Sequence, residues 1–145
     1  AMTHDDLARF REAQAPLLAS VEAELAAGRK RSHWMWFIFP QIAGLGSSAM
    51  ARRYAIGDLD EARRYLADPV LGPRLRHHVA LMLRHETGSA TAILGTPDDL
   101  KFRSSITLFK AASERSPDLL LFQRALDRFY GGESDVETIR LLAQT

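Results

Sequence analysis

Apolar residues recur at helical spacing along most of the chain. Residues 5–27, 71–83, 100–109 and 121–129 each place large apolar side chains three, four or seven positions apart, as on one face of an α-helix. No stretch alternates apolar and polar positions with an excess of β-branched residues, which is the pattern of a half-buried strand. The patterning therefore predicts an all-α fold.

Capping residues divide this pattern into short helices. Thr96-Pro97-Asp98-Asp99 and Ser116-Pro117-Asp118 each offer a hydroxyl, a proline at the first helical position and a carboxylate facing the positive end of the helix dipole. Asp58 and Glu61 form a variant of the capping box. With the glycine and proline turns between them, these signals predict about seven to nine short helices.

The chain of 145 residues fits a single compact domain, and it shows no linker, internal repeat or low-complexity segment. We assign this domain to residues 2–145 and interpret Ala1, which precedes Met2, as an expression remnant. The apolar stripes predict a core made of Phe10, Leu18, Val21, Leu25, Trp36, Phe39, Leu75, Val79, Leu108, Phe109, Phe122, Leu126 and Phe129.

Composition excludes several classes of function. The chain contains no cysteine, so it has no disulfide, no thiolate nucleophile and no cysteine-based zinc site. The formal net charge of +1 is too small to imply a nucleic-acid or membrane partner for the protein as a whole. No signal peptide or membrane span is evident, and the histidines lack the spacing of a metal site. We expect a cytoplasmic protein without a metal or other cofactor; the sequence does not predict its oligomeric state.

The stretch RKRSHWMWFIFPQ, Arg29–Gln41, joins three consecutive cations to both tryptophans. Ser32 is placed to cap a helix from His33 to about Phe39, and free N–H groups at a helix start bind anions. An indole adds a flat face on which a base or another ring can stack. The alternative is a solvated charged loop that enters a buried aromatic helix. The binding interpretation gives the candidate residues Arg29, Arg31, Ser32, His33, Trp34 and Gln41.

A second polar cluster lies within DDLKFRSSITLFK. Asp99, Arg103 and Thr107 follow one another at intervals of four residues, so they form a polar stripe on an otherwise apolar helix. Lys101 and Ser104 lie nearby. The stripe is either a solvated face with an ion pair or one wall of a pocket. We predict that Lys101, Arg103 and Ser104 bind ligand, and that Arg103 and Ser104 share one pocket with Arg31, His33 and one indole.

The segment GLGSSA, residues 44–49, matches the dinucleotide fingerprint G-x-G-x-x-A. That fingerprint binds a dinucleotide only where a strand leads into the loop and a helix leaves it. Here Pro40 precedes the segment, and the residues beyond Ile56 have helical patterning. We therefore interpret GLGSSA as an ordinary loop.

The segments GRKRSHWMWFIFPQIAGLG, TPDDLKFRSSITLF and ALDRFYGGESD resemble a family of small, mostly α-helical bacterial proteins of unknown function. Members often carry the automatic label "calpastatin". The resemblance covers nearly the whole chain and implies one multi-helical domain, with no established activity. One departure is Ile106, where the family has methionine. The label itself does not fit, because calpastatin is a long disordered inhibitor with repeats, whereas this chain has the apolar stripes of a folded domain.

Two kinds of function are consistent with these residues. The first is a pocket for an anionic small molecule with a flat ring, such as a nucleotide, which the protein either only binds or acts on as a hydrolase or transferase. The second is a non-catalytic interaction module that binds a protein or single-stranded nucleic acid through its basic and aromatic loop. A concave pocket favours the first, and a flat exposed basic patch favours the second.

Overall fold

The computed structural model describes residues 5–145 and confirms the all-α prediction for them. Nine helices of five residues or more, one four-residue helix and one 3-10 turn account for its regular structure, and its only β pairing is an isolated parallel bridge between Ile42 and Ile56. The helices are α1 (Ala8–Gln14), α2 (Leu18–Ala27), α3 (Met35–Ile38), α4 (Ala49–Arg53), α5 (Leu59–Ala67), α6 (Leu71–Leu83), α7 (Ala90–Leu94), α8 (Asp98–Ala112), α9 (Asp118–Tyr130) and α10 (Val136–Ala143).

Several helix boundaries follow from local capping chemistry. The side chain of Asp58 accepts a hydrogen bond from the Glu61 amide and that of Asp135 accepts one from the Thr138 amide, so each caps the start of a helix. Gly28 ends α2 in the left-handed conformation, with φ of 73°, which a glycine adopts without steric cost. The predicted helix start at His33, with Ser32 as its cap, is wrong. The helix α3 begins at Met35, because the Ser32 hydroxyl donates to Glu24 instead of capping.

The longest helix, α8, lies in the middle of the core and packs against α9, α5, α7 and α10. Its buried face carries Phe102, Ile106, Leu108 and Phe109. The rings of Phe102 and Phe39 pack edge to face, with centroids 4.7 Å apart. Through this contact, α8 supports the end of the RKRSHWMWFIFPQ segment.

Most of the predicted core is confirmed as buried, with three exceptions. Leu18, at the first residue of α2, is only partly buried. Phe129 lies in the last turn of α9 and is also partly buried, with the Arg128 guanidinium 4.4 Å from its ring centroid. Trp36 is partly buried as well, and the fully buried indole is that of Trp34.

A buried amide holds α3 in place. Gln14 on α1 donates to the carbonyl oxygen of Phe37 over 2.7 Å and to the hydroxyl of Tyr65 over 3.0 Å. The side-chain oxygen of Gln14 accepts a hydrogen bond from Arg74 over 3.3 Å. Burial raises the pKa of Tyr65 well above its usual range, so this hydroxyl is neutral. All polar atoms of the Gln14 side chain therefore have partners, as a buried amide requires.

No helix within residues 5–145 has the length and apolar character needed to cross a membrane.

Candidate functional site

The basic stretch is organised around one carboxylate, that of Glu24 on α2. It accepts hydrogen bonds from the amides of Arg31 and Ser32, at 2.7 and 2.9 Å, from the Ser32 hydroxyl at 2.6 Å and from the indole of Trp34 at 3.0 Å. Burial alone would raise the pKa of Glu24, but these hydrogen bonds outweigh it and lower the pKa from 4.5 to about 2. The partly buried carboxylate of Glu24 thus holds the loop to α2.

This arrangement changes the role of two predicted ligand-binding residues. The backbone amides of Arg31 and Ser32, which we expected to receive an external anion, already donate to Glu24. The Ser32 hydroxyl does the same. Ser32 therefore holds the loop to α2.

Lys30, the middle cation, is part of the structure of the loop. Its side chain is 8% exposed, and its ammonium group lies 2.9 Å from Asp98 and 4.9 Å from the ring centroid of Trp34. A lysine buried to this degree needs such partners, because an unpaired charge is costly away from water. Trp34 itself is 0% exposed, so its indole is part of the core and is not available for stacking, contrary to our expectation.

Trp36 is the indole that reaches the surface. It is partly buried, and the ring of exposed His33 lies 6.5 Å from it between centroids. On α8, the ammonium group of Lys101 lies 5.8 Å from the Trp36 ring centroid, within the range of a cation–π contact. The same ammonium group is 3.8 Å from Asp98, which is already bound to Lys30. Asp98 thus contacts two lysines, and of these two Lys101 lies beside Trp36.

Trp36 also forms part of the wall of a cavity of about 230 Å³. The opposite walls come from the loop after α3 and from α4 and the residues that follow it. The remaining lining residues are Gln41, Ile42, Ala43, Gly44, Gly46, Ala51, Arg52, Tyr54 and Ala55.

Two backbone hydrogen bonds hold these walls together. The Ala43 amide donates to the Ile56 carbonyl, and the Ile56 amide donates to the Gln41 carbonyl, each over 2.8 Å. Gly46 lets the loop come close to α4, because a Cβ atom at that position would lie 2.6 Å from the Cβ of Ala51. Two glycines of the GLGSSA segment therefore line a cavity, although no dinucleotide fold surrounds them.

The polar groups of the cavity are suited to an anion. Gln41 supplies a side-chain amide and Arg52 a guanidinium that forms no ion pair with any residue from 5 to 145. The lining contains no carboxylate, serine or cysteine. Over the described part of the chain, no group of three His, Cys, Asp or Glu side chains is arranged to hold a metal ion. The site thus offers a flat aromatic face, positive charge and hydrogen-bond donors.

The polar stripe of α8 has a different environment. Arg103 donates to the carbonyl oxygens of Glu133 and Ser134, at 2.9 and 3.1 Å. Ser104 donates to Asp135 over 3.2 Å, and the Asp135 amide donates to the Thr107 hydroxyl over 2.9 Å. The stripe therefore binds the turn that precedes α10.

Apart from Ser32, which holds the loop to α2, and Trp34, which lies in the core, the predicted residues separate into three groups. His33, Gln41 and Lys101 lie at or beside the cavity with Trp36. Arg29 and Arg31 line a separate surface cavity of about 390 Å³ next to Glu24. Arg103 and Ser104 contact the turn before α10, and neither they nor Arg31 belong to the lining of the Trp36 cavity.

Sequence reasoning missed Arg52 and Tyr54 as lining residues. Both lie in or directly after α4, which carries no motif of its own. The only signal was their position after the glycine-rich loop. The contact becomes apparent only once the bridge between Ile42 and Ile56 brings the two segments together.

Comparison with known proteins places this architecture in a family. The chain is 50% identical to the conserved hypothetical protein Rv1873 from Mycobacterium tuberculosis, and the two structures agree with a TM-score of 0.92 over 97% of this chain and 98% of that one. No curated protein shows significant similarity to the sequence. The family model described as "Protein of unknown function (DUF1810)" matches residues 4–142. The chain therefore belongs to the DUF1810 family of proteins of unknown function.

Proposed function

We propose that the Trp36 cavity binds an anionic small molecule with a flat ring, such as a nucleotide. One observation carries the proposal: a surface indole lies at a concave cavity, with the Lys101 ammonium group 5.8 Å from its ring centroid and with Arg52, which forms no ion pair within residues 5–145, in the lining. Ring stacking on an indole contributes about 1–3 kcal/mol, and a charge-assisted hydrogen bond to an anion contributes about 1.5–3 kcal/mol. Because the ring and the anion contribute separate terms of this size, a ligand that carries both should bind more tightly than a ligand that carries only one of them.

Binding is the function that this lining supports best. A hydrolase or transferase would need a nucleophile or a general base next to the bound ligand. The cavity lining contains no serine, cysteine or carboxylate, and its one side-chain hydroxyl is that of the buried Tyr54. His33 lies beside Trp36 and is not part of the lining. We therefore propose a ligand-binding protein, in which His33 contributes to the edge of the site.

Calorimetric titration with AMP, adenosine and inorganic phosphate tests this proposal. AMP carries both the ring and the anion, so it should bind at least about tenfold more tightly than adenosine or phosphate, each of which loses one set of contacts. Absence of AMP binding at millimolar concentration, or equal affinity for AMP and phosphate, contradicts a site for a ring-containing anion.

The chain offers a matched pair of variants for this titration. Arg52 and Arg53 are neighbours in the last turn of α4, and only Arg52 lines the cavity. Arg53 lies over the ring of Tyr54, at 5.5 Å from its centroid. Arg52→Ala should weaken AMP binding about tenfold, whereas Arg53→Ala removes the same charge and should leave the affinity within about twofold. Equal losses in the two variants would show a general charge effect.

A second candidate function rests on Arg29 and Arg31. Both are exposed, and neither side chain forms a hydrogen bond or ion pair within the described residues. A pair of free arginines on one loop suits single-stranded nucleic acid or an acidic protein segment. Titration with a labelled single-stranded oligonucleotide separates the candidates. Salt-sensitive binding that is lost in Arg29→Ala/Arg31→Ala, in a protein that does not bind AMP, favours the interaction module.

A further inference from the structure

The polar stripe of α8 forms a network of side-chain hydrogen bonds that the proposed binding site does not explain. Arg103 holds the carbonyl oxygens of Glu133 and Ser134, and Thr107 accepts from the amide of Asp135. Thr107 in turn donates to the Arg103 carbonyl over 2.8 Å, which fixes the orientation of its hydroxyl. We refer to Arg103, Ser104 and Thr107 as the α8 clamp.

The clamp acts on the start of α10. Its partner Asp135 is the N-cap of that helix and accepts from the amide and the hydroxyl of Thr138, at 3.0 and 2.5 Å. Thr138 is fully buried. The clamp therefore determines where α10 begins and which of its faces turns inward.

The inward face of α10 reaches the wall of the Trp36 cavity. A Cβ atom built on Gly44 would lie 3.2 Å from Cδ2 of Leu141, so the Leu141 side chain packs directly against the backbone of Gly44. Gly44 lines the cavity and has φ of 104°, in the left-handed region. Leu141 thus covers a part of the loop that has no side chain of its own.

The outer face of α10 is exposed, with Val136 at 76% and Ile139 at 52%. The helix has eight residues and lies near the C-terminal end of the chain. A short helix with little buried apolar surface opens locally at a lower free energy than the core does. The wall at Gly44 therefore depends on an element that is itself held mainly by the clamp and a few inward side chains.

We infer that α10 is a positioning element for the Trp36 cavity: the α8 clamp fixes α10, and Leu141 of α10 holds the Gly44 loop in the conformation that forms the cavity wall. Arg103, Ser104 and Thr107 are then positioning residues that act on the cavity through α10. The inference deepens the proposed function, but its structural part concerns the wall alone and is testable without any ligand.

Native-state hydrogen exchange of Leu141→Ala and Leu142→Ala provides that test. The two leucines are neighbours on α10 and both pack against the core, but Leu142 lines a different groove, next to Thr107 and Leu119. The Ala43 and Ile56 amides, which form the bridge at the cavity wall, should exchange at least about tenfold faster in Leu141→Ala. They should change by less than about threefold in Leu142→Ala. Unchanged exchange in Leu141→Ala, or equal acceleration in both variants, overturns the inference.

A second variant tests the clamp without altering α10 or the cavity. Thr107→Val keeps the shape of the side chain and removes the hydroxyl that accepts from Asp135. It should accelerate exchange of the Ala43 and Ile56 amides, as Leu141→Ala should. The amide of Phe109, which is fully buried on α8, should keep its wild-type exchange rate. Acceleration of Phe109 by the same factor as Ala43 would show global destabilisation and would overturn the role of the clamp.

AMP titration of the same variants links the wall to binding. Leu141→Ala should weaken AMP binding about tenfold and Leu142→Ala should leave it unchanged. Faster exchange in Leu141→Ala with unchanged AMP affinity would overturn the coupling between α10 and the site. Failure of the wild-type protein to bind AMP would overturn the proposed function, while the exchange rates would still decide whether α10 holds the wall.

Discussion

The indole of Trp34 donates a hydrogen bond to the carboxylate of Glu24 over 3.0 Å, and this contact separates the roles of the two tryptophans. Trp34 is fixed in the core with its N–H group satisfied by a charged acceptor. Trp36, two residues later, reaches the surface and lines the cavity. One carboxylate therefore binds both the basic loop and the buried indole that follows it, which gives the adjacent basic and aromatic segments a common structural role.

We predict that Glu24→Gln destabilises the protein by roughly 1.5–3 kcal/mol at neutral pH, because a neutral amide replaces a carboxylate that accepts four hydrogen bonds. The folded protein lowers the pKa of Glu24 from 4.5 to about 2, so the stabilisation is fully present above pH 4.5 and is lost as the pH falls towards 2. Urea midpoints measured across this range should therefore converge for the wild type and the variant at low pH.

Glu12→Gln is the control for this comparison. Glu12 is exposed on α1 and forms no ion pair within residues 5–145. The free energy of unfolding of Glu12→Gln should stay within about 0.5 kcal/mol of the wild-type value. A Glu24→Gln variant that also stays this close at neutral pH would show that the carboxylate does not hold the loop.

Two buried serines near α8 should respond to alanine in opposite directions. Ser105 is fully buried and its hydroxyl has no partner within the described part of the chain, so Ser105→Ala should be neutral or stabilising by up to about 1 kcal/mol. Ser113 is equally buried but donates to the Phe109 carbonyl over 2.7 Å, so Ser113→Ala should cost about 1 kcal/mol. Chemical denaturation of both variants measures the difference, and a larger loss for Ser105→Ala would contradict this assignment of hydrogen bonds.

Gly72 is required by a close approach of two helices. A Cβ atom at this position would lie 2.2 Å from the carbonyl oxygen of Leu66, which also accepts a hydrogen bond from Arg76. Gly72→Ala should therefore lower the free energy of unfolding by about 1–3 kcal/mol or more. Gly57→Ala is the comparison, since the nearest atom to its new methyl group would be 3.9 Å away. Similar thermal midpoints for the two variants would show that α5 and α6 separate at little cost.

Helical periodicity and capping signals were sufficient to predict the fold, because both depend on residues close together in sequence. Asp58 caps its helix as expected, and Val21, Leu25 and Phe109 are buried. The prediction that Trp36 rather than Trp34 is buried was wrong. It assumed a helix starting at His33, with Ser32 as its cap, and the true start at Met35 depends on Glu24, eight residues before Ser32.

The site could be predicted only in part, for a related reason. The residue types were the right ones for a flat, anionic ligand, and Gln41 and Lys101 do lie beside a surface indole. The function of each cation depends on its partner, however. Lys30 pairs with Asp98 and Arg103 binds the turn before α10, across long sequence separations that no local pattern reports.

We propose that Trp36, and not Trp34, contacts a ligand with a ring and an anionic group. Heteronuclear NMR during an AMP titration tests it directly, because the chain has two indole N–H signals, which Trp36→Phe assigns. We predict that AMP shifts the Trp36 indole signal and the signals of the Gln41 side-chain amide, while the Trp34 indole signal, whose N–H group is bonded to Glu24, does not shift. Absence of any shift at saturating AMP, or shifts confined to the amides around Arg29 and Arg31, would contradict it.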